Sequence, residues 1–219
     1  MALVLVMSGC ASLGEPLKAI QQAVTPAPAE ATPAAAASAP VAAAPVVVAA
    51  PVPPAAQRGF DDARRALAAG RADDAERGFR ALTKSNPELG GPHANLGLIY
   101  RQAGKADQAV AEFEQATKLS PEQPLYFNQL GIAYRQQGQF AKARAAYEKA
   151  IALDAAYASP QLNLGILHDL YLGDGARALE LYERYQILTA GKDATVGKWV
   201  ADLKNRKPGQ RLVSKKEQP

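Results

Sequence analysis

The chain has 219 residues, 48% of them hydrophobic, and a formal net charge of +4, a length that permits one or two domains. The basic excess lies in the last sixteen residues, where six Lys or Arg residues face the single acidic Glu217. A nucleic-acid-binding domain usually carries its positive charge on a folded face. We therefore expect no nucleic-acid partner and interpret 207–219 as a basic disordered tail, with contact to anionic lipid or peptidoglycan as the alternative.

An apolar run opens the chain and ends at its only cysteine, Cys10. The run is far shorter than the ~20 apolar residues of a transmembrane helix. Met7-Ser8-Gly9-Cys10 resembles the bacterial lipobox, in which the signal peptide is cut before a cysteine whose sulfur carries a diacylglycerol. No Lys or Arg precedes the run, as one would in an ordinary signal peptide. A start codon assigned too far downstream would explain this missing basic region. We interpret 1–9 as a truncated lipoprotein-type signal segment and Cys10 as a lipidation site; the alternative is a free cysteine.

The next segment, 10–55, reads as a linker rich in Ala and Pro. Between Val24 and Ala56 the only charged residue is Glu30. Each proline removes a backbone donor and keeps the preceding residue out of helical angles. The composition therefore predicts a disordered, extended tether, with a proline-motif ligand as the alternative. By resemblance to bacterial sorting patterns, Ala11 after the cysteine implies an anchor on the periplasmic face of the outer membrane.

A sequence repeat with a period of about 34 residues, a length typical of stacked helical repeats, organises the segment 56–206. Residues 95–104 read NLGLIYRQAG, and residues 129–138 read QLGIAYRQQG. Downstream of them, Ala109 and Phe113 return as Ala143 and Tyr147. Counting in steps of this period gives units at 56–89, 90–123, 124–157 and 158–191, each with two helices and a turn.

These residues resemble the tetratricopeptide repeat family, which has this period. The resemblance implies an all-α solenoid of about four helix-turn-helix repeats. The first repeat is atypical, because Ala63 stands in the register of Gly97. In the fourth, His168 replaces the tyrosine and the turn after it is one residue longer. The segment 193–206 predicts a capping helix with Asp193 as its N-cap. Trp199 falls in its apolar stripe, and we expect it in the core rather than at a ligand site.

The resemblance also implies a concave groove, lined by the first helix of each repeat, that binds a peptide or protein. Arg101 and Arg135 are one repeat period apart, so we expect them to form a ladder that suits carboxylates or backbone carbonyls; the alternative is a solvated helix face. Transfer of the family's groove positions gives Phe60, Arg64, Ala94, Leu98, Arg101, Gln102, Asn128, Ile132, Arg135, Gln136, Leu162, Ile166, Asp169 and Leu170.

Nothing in the sequence indicates catalytic chemistry, a metal site, a cofactor or a small-molecule substrate. His93 and His168 are far apart in sequence and lack metal-ligand spacing. We therefore expect a non-catalytic scaffold, a lipid-anchored periplasmic lipoprotein that serves an envelope assembly. Lipidated members of the family include pilotins of type IV pili, adaptors of cell-wall hydrolases and proteins of TonB-type systems. The alternatives are a soluble assembly factor or chaperone, and an accessory domain of an enzyme or an unrecognised hydrolase.

Overall fold

The structure is a computed structural model that describes residues 52–206. The predicted signal segment, Cys10, nearly all of the Ala/Pro-rich linker and the basic tail lie outside this range. Within it the chain is α-helical, with one π-helical turn and no β-strand, which confirms the predicted all-α repeat fold. No helix in 52–206 has the length and apolar character needed to cross a membrane.

The helices follow one another in pairs with short turns between them. Their bounds are α1 Pro54–Ala68, α2 Ala72–Ser85, α3 Gly90–Gln102, α4 Ala106–Leu119, α5 Pro124–Gln136, α6 Phe140–Leu153, α7 Ala158–Leu167, α8 Gly175–Leu188 and α9 Ala194–Asn205; the π-helical turn His168–Leu172 continues α7.

Left-handed glycines set the turns within the second and third repeats. Gly104 and Gly138 have φ angles of +72° and +73°, a region that glycine enters without a steric penalty. The amide of Lys105, next in the chain after Gly104, donates to the carbonyl of Tyr100 at 2.8 Å. This bond pattern ends the helix and satisfies carbonyls that would otherwise lack donors.

Small residues let the two helices of a repeat approach closely. A Cβ atom on Gly131 would lie 2.5 Å from the Tyr147 ring, and one on Gly97 would lie 2.8 Å from the Phe113 ring. Ala143, on α6, is fully buried in the same interface. The rings of the second helix therefore pack directly on the backbone of the first.

The described residues divide into two compact units, one ending at Gly78 and the other beginning at Phe79. The first unit holds α1 and the start of α2, with Phe60 and Ala75 buried. A Cβ atom on Gly78 would lie 2.9 Å from the Cβ of Ala63. The first repeat thus keeps a close helix approach, but its glycine stands on the second helix.

The second unit is a stack in which each helix from α3 to α9 packs against the next. The repeat tyrosines join neighbouring repeats. The Arg80 Nη2 donates to the Tyr100 hydroxyl at 2.7 Å, and the Tyr134 hydroxyl donates to Glu114 Oε1 at 2.5 Å. Each tyrosine therefore bonds to the second helix of the preceding repeat.

The last helix, α9, closes the stack with a small apolar cluster. Val196 and Leu203 of α9 are buried with Ala178 and Tyr182 of α8. The Asp193 carboxylate accepts hydrogen bonds from the amides of Thr195 and Val196, so its predicted role as an N-cap is confirmed.

Trp199 differs from its predicted place in the core. It is 37% exposed, and its ring centroid lies 5.5 Å from that of Tyr182 at an interplanar angle of 47°. Val196 and Leu203 occupy the centre of the apolar stripe, which leaves the larger indole at its edge.

Candidate functional site

Two arginines at the ends of α3 and α5 form the centre of the candidate site. Arg101 and Arg135 are both half-buried, and Arg135 Nε lies 3.4 Å from the Tyr147 hydroxyl as a donor. Burial lowers the pKa of the Arg101 guanidinium, the Tyr147 hydroxyl opposes that lowering, and the nearby charge of Arg135 adds to it. Since an arginine pKa stays far above neutrality, both side chains remain cationic and repel one another.

The charges of this pair are not balanced inside the described chain. Across residues 52–206, neither Arg101 nor Arg135 has a carboxylate within salt-bridge distance, whereas Arg177 pairs with Glu180. The Nε of Arg101 is also buried without a hydrogen-bond partner there. A buried donor without an acceptor is costly, so the arrangement suits an incoming anion that can accept from both guanidiniums.

Two aromatic side chains, Tyr147 and Tyr171, lie next to Arg135. The Tyr171 ring lies 5.8 Å from the Arg135 guanidinium carbon, a cation–π distance. Burial raises the pKa of the Tyr147 hydroxyl, while Arg135 and Arg101 lower it, so this hydroxyl is a neutral donor at physiological pH. We call Arg101, Arg135, Tyr147 and Tyr171 the arginine site.

Three other predicted groove residues are accessible beside the arginine site. Gln102 and Gln136 are exposed at the ends of α3 and α5, and Ile132 is half-buried one turn before Arg135. The structure therefore places the predicted ladder residues of the second and third repeats on an accessible face. Their role in binding a partner stays a prediction.

Four predicted groove residues lie in the core instead. Phe60, Ala94, Leu98 and Asn128 are all buried. Asn128 is bonded inside the stack, where its Nδ2 donates to the Tyr157 hydroxyl at 3.3 Å and its Oδ1 accepts from Asn163 at 2.9 Å. The prediction that Leu98 and Asn128 contact a partner is therefore corrected: these side chains pack within the protein.

Three predicted groove residues of the fourth repeat contact other parts of the described chain. Leu162 and Ile166 pack against the apolar cluster of α8 and α9. Asp169 lies 2.9 Å from Arg206, and the two side chains are only 7% and 16% exposed. Arg206 also bonds to Asp202 at 2.9 Å. Asp169 is thus ion-paired within the protein. Leu162 and Ile166 are half-buried, and their contact with a partner stays a prediction.

Arg64 and the two histidines have carboxylate neighbours of their own. Arg64 belongs to the first unit, where its Nη1 is 3.9 Å from Asp61. His93 Nδ1 is 2.6 Å from Glu112, and His168 Nδ1 is 3.5 Å from Asp174. Within 52–206 no three His, Cys, Asp or Glu side chains are grouped closely enough to hold a metal ion.

The sequence did not predict that Tyr147 and Tyr171 lie next to Arg135. Tyr147 repeats Phe113 of the preceding unit, a pattern that predicts core packing, and it is fully buried. The signal for Tyr171 was the extra residue in the fourth repeat, which predicts an altered turn but not the direction in which its side chains point.

Comparisons with known proteins agree with the repeat fold. A family model described as TPR repeat matches residues 97–138 and 131–169. A crystal structure of MamA is 23% identical with a TM-score of 0.59, covering 64% of this chain and 81% of that one. A structure of Pseudomonas aeruginosa pilF is 21% identical with a TM-score of 0.62, covering 68% and 67%.

A thermophilic TPR protein from Thermus thermophilus is also similar, at 20% identity and a TM-score of 0.55, covering 68% of this chain and 80% of that one. A comparison with curated proteins finds no match. At these identities the solved structures show the fold alone, and the family model names the repeat. The helical stack therefore contains tetratricopeptide repeats, which the family model matches at residues 97–169.

Proposed function

We propose that the protein is a non-catalytic interaction scaffold that binds an acidic segment of a partner protein at the arginine site. The observation that carries this proposal is the unbalanced charge of Arg101 and Arg135, together with the buried, unpartnered Nε of Arg101. A merely solvated arginine on a helix face would have its Nε in water. Carboxylates accept strong, often bidentate hydrogen bonds from guanidinium groups.

Removing both charges tests the proposal. In the full chain, Arg101→Gln combined with Arg135→Gln keeps two polar side chains but removes the charge, so we expect partner capture to be lost while the helical circular dichroism is retained. Arg177→Gln is the matched control, because it also removes a helical arginine, one that pairs with Glu180 on its own helix.

Affinity capture from the producing cells is the measurement, with bound proteins quantified at low and high salt. Binding by the wild type and by Arg177→Gln should fall as salt rises, because charged contacts are screened. Equal capture by the doubly substituted protein would contradict the proposal.

We further propose that Cys10 carries a lipid and holds the repeats at the periplasmic face of the outer membrane for a pilus, cell-wall or TonB-type assembly. The Met7-Ser8-Gly9-Cys10 pattern and the long Ala/Pro-rich segment after it support this. A palmitate analogue should label the wild type and not Cys10→Ala; equal labelling of the two would refute the anchor.

The second candidate is a soluble assembly factor with the same arginine site and no anchor. Membrane fractionation separates the two: the anchored protein sediments with membranes and stays there in high salt, whereas the soluble factor does not.

A further inference from the structure

The turn of the fourth repeat is built differently from the two turns before it. Gly104 and Gly138 are one repeat period apart, but Gly173 comes one position later than that period places it. The extra residue is accommodated by the π-helical turn His168–Leu172, which ends where the Asp174 amide donates to the His168 carbonyl at 2.9 Å. Single π-helical turns within α-helices are frequent at functional sites.

This turn brings apolar side chains to a surface that is polar in the preceding repeat. Leu170 is 57% exposed and stands in the register of Gln136. Tyr171 is 41% exposed and stands in the register of Gln137, whose side chain donates to Asp107 at 2.8 Å. A row of polar positions thus becomes apolar at one repeat.

Tyr171 also holds a different contact with the neighbouring repeat. Its ring centroid lies 4.8 Å from that of Phe140 at the start of α6. The equivalent residue of the preceding repeat, Gln137, instead donates a hydrogen bond to Asp107. The other neighbour of the Tyr171 ring is the guanidinium of Arg135, at 5.8 Å. The exposed apolar surface is therefore continuous with the arginine site. Contiguous exposed apolar surface beside polar groups is typical of interaction sites.

We propose that Leu170, Tyr171 and Phe140 form an apolar subsite, and that the partner segment carries an acidic residue next to a large apolar residue. The proposal rests on the proposed function and specifies its ligand. The carboxylate binds Arg101 and Arg135, and the apolar side chain covers the Tyr171 ring. Asp169 does not oppose the incoming carboxylate, since Arg206 neutralises it at 2.9 Å.

The occupant is a separate protein rather than another part of this chain. The segment 207–219 has four basic residues and one acidic residue, Glu217, so it carries the same sign of charge as the arginine site. The segment 11–51 has two acidic residues. Glu15 lies between a glycine and a proline, and Glu30 lies between two alanines. Neither segment supplies a carboxylate directly beside a large apolar side chain of the kind that would cover a tyrosine ring.

A random short-peptide library displayed on phage, selected on the immobilised full chain, is the probe. Enriched peptides are then synthesised with a fluorophore, and their dissociation constants are measured by anisotropy. Each peptide is compared with its own version in which the large apolar residue is alanine. The protein variants are Tyr171→Ser, Leu170→Gln and Arg135→Gln. Ile187→Ser is the matched control, because Ile187 is an exposed apolar residue on α8.

The selected peptides should share an acidic residue adjoining a large apolar one. Tyr171→Ser should weaken the parent peptide about tenfold or more, in the range of an interface anchor. Tyr171→Ser should leave the dissociation constant of the alanine version almost unchanged. That version lacks the side chain that contacts Tyr171, and the effects of changing two residues in contact are not additive. Leu170→Gln should also weaken binding of the parent peptide, and Ile187→Ser should not.

Two results would overturn the apolar subsite and leave the proposed function standing. One is a consensus with acidic residues alone. The other is unchanged binding by Tyr171→Ser and Leu170→Gln while Arg135→Gln still abolishes binding. If no peptide is enriched, or if Arg135→Gln binds as the wild type does, both proposals are wrong. Loss of self-association in Tyr171→Ser, seen by light scattering, would assign the subsite to a second copy and overturn the inference.

A folding control separates lost binding from lost structure. Tyr171→Ser removes the contact with Phe140, so its thermal unfolding and circular dichroism are measured alongside binding. Leu170→Gln places at this position the residue type found at positions 102 and 136. It therefore tests the subsite in a protein whose turn keeps its contact with Phe140.

Discussion

At the scale of single residues, the pair Asp169–Arg206 has the clearest energetic consequence. Both side chains are mostly buried, and Arg206 bridges Asp169 and Asp202 with two bonds of 2.9 Å. The hydrogen bond to Asp202, together with that to Asp169, raises the pKa of Arg206. The residue after α9 thus joins the last helix to the π-helical turn.

Breaking this pair should destabilise the protein strongly. We expect Arg206→Gln to lower the free energy of unfolding by about 3 kcal/mol, because it leaves the Asp169 carboxylate buried without its partner. Adding Asp169→Asn should recover part of that loss, since the unpaired charge is then gone. Denaturant unfolding measures both.

The control for that measurement is an exposed pair. Arg177→Gln removes the partner of Glu180, and both side chains are about half exposed or more, so we expect a loss below about 1 kcal/mol. A loss from Arg206→Gln as small as that from Arg177→Gln would show that the buried pair does not hold α9.

His168 replaces the repeat tyrosine and is buried beside Asp174. Burial lowers the pKa of this imidazole, and the Asp174 carboxylate opposes the lowering. Because the folded pKa lies below the unfolded value of about 6.5, the unfolded chain binds more protons once the pH falls below that value. Stability contributed by neutral His168 is therefore present above this pH and is lost as the pH falls.

We expect His168→Gln to reduce the loss of thermal stability between about pH 7.5 and pH 5.5, the range in which an unperturbed histidine titrates. The quantity to compare is the change in Tm with pH for each protein, not its absolute Tm. An identical pH slope in wild type and variant would rule out this linkage.

At the scale of elements, the closeness of each helix pair depends on Gly131 and its equivalents. The Tyr147 ring lies where a Cβ on Gly131 would stand, at 2.5 Å. Replacing that glycine forces the ring or the helix to move, although alanine is the better helix former. Helix propensity thus favours alanine at this position, whereas packing against Tyr147 favours glycine.

Two glycine substitutions separate these effects. Gly131→Ala should destabilise the protein by about 1–3 kcal/mol, the usual cost of overpacking a core. Gly197→Ala, on the exposed face of α9, would meet only Gln186 Nε2 at 3.5 Å, so it should stabilise by up to about 1 kcal/mol. Thermal unfolding checks both signs; stabilisation by Gly131→Ala would mean that the helices are not in close contact there.

The helix pairs could be predicted from the sequence because the constraints recur locally in each repeat. Gly104 with its positive φ and Gly131 against Tyr147 are features of this kind. The groove was predicted less well. Register fixes which face of a helix a residue occupies, but not what covers that face: Asn163 covers Asn128, and Arg206, much further along the chain, covers Asp169.

At the scale of the whole molecule, one short stretch of the predicted groove in the second unit is accessible. Its positive charge is not balanced by nearby carboxylates in the described residues. In the fourth repeat, Asp169 is ion-paired with Arg206, while Leu98 and Asn128 are buried. What remains open in that unit is the line of Gln102, Arg101, Arg135 and Gln136 with the apolar turn at its end. The central claim is that this line is where a partner binds.

Photocrosslinking in the producing cell tests this claim most directly. A photoreactive amino acid replaces Gln136, which is exposed beside Arg135, or Gln115, an exposed glutamine on α4. We predict a crosslinked protein from position 136 and not from position 115, and its loss when Arg101→Gln and Arg135→Gln are added. The same crosslinked protein from both positions, or its persistence without the two arginines, would contradict the account.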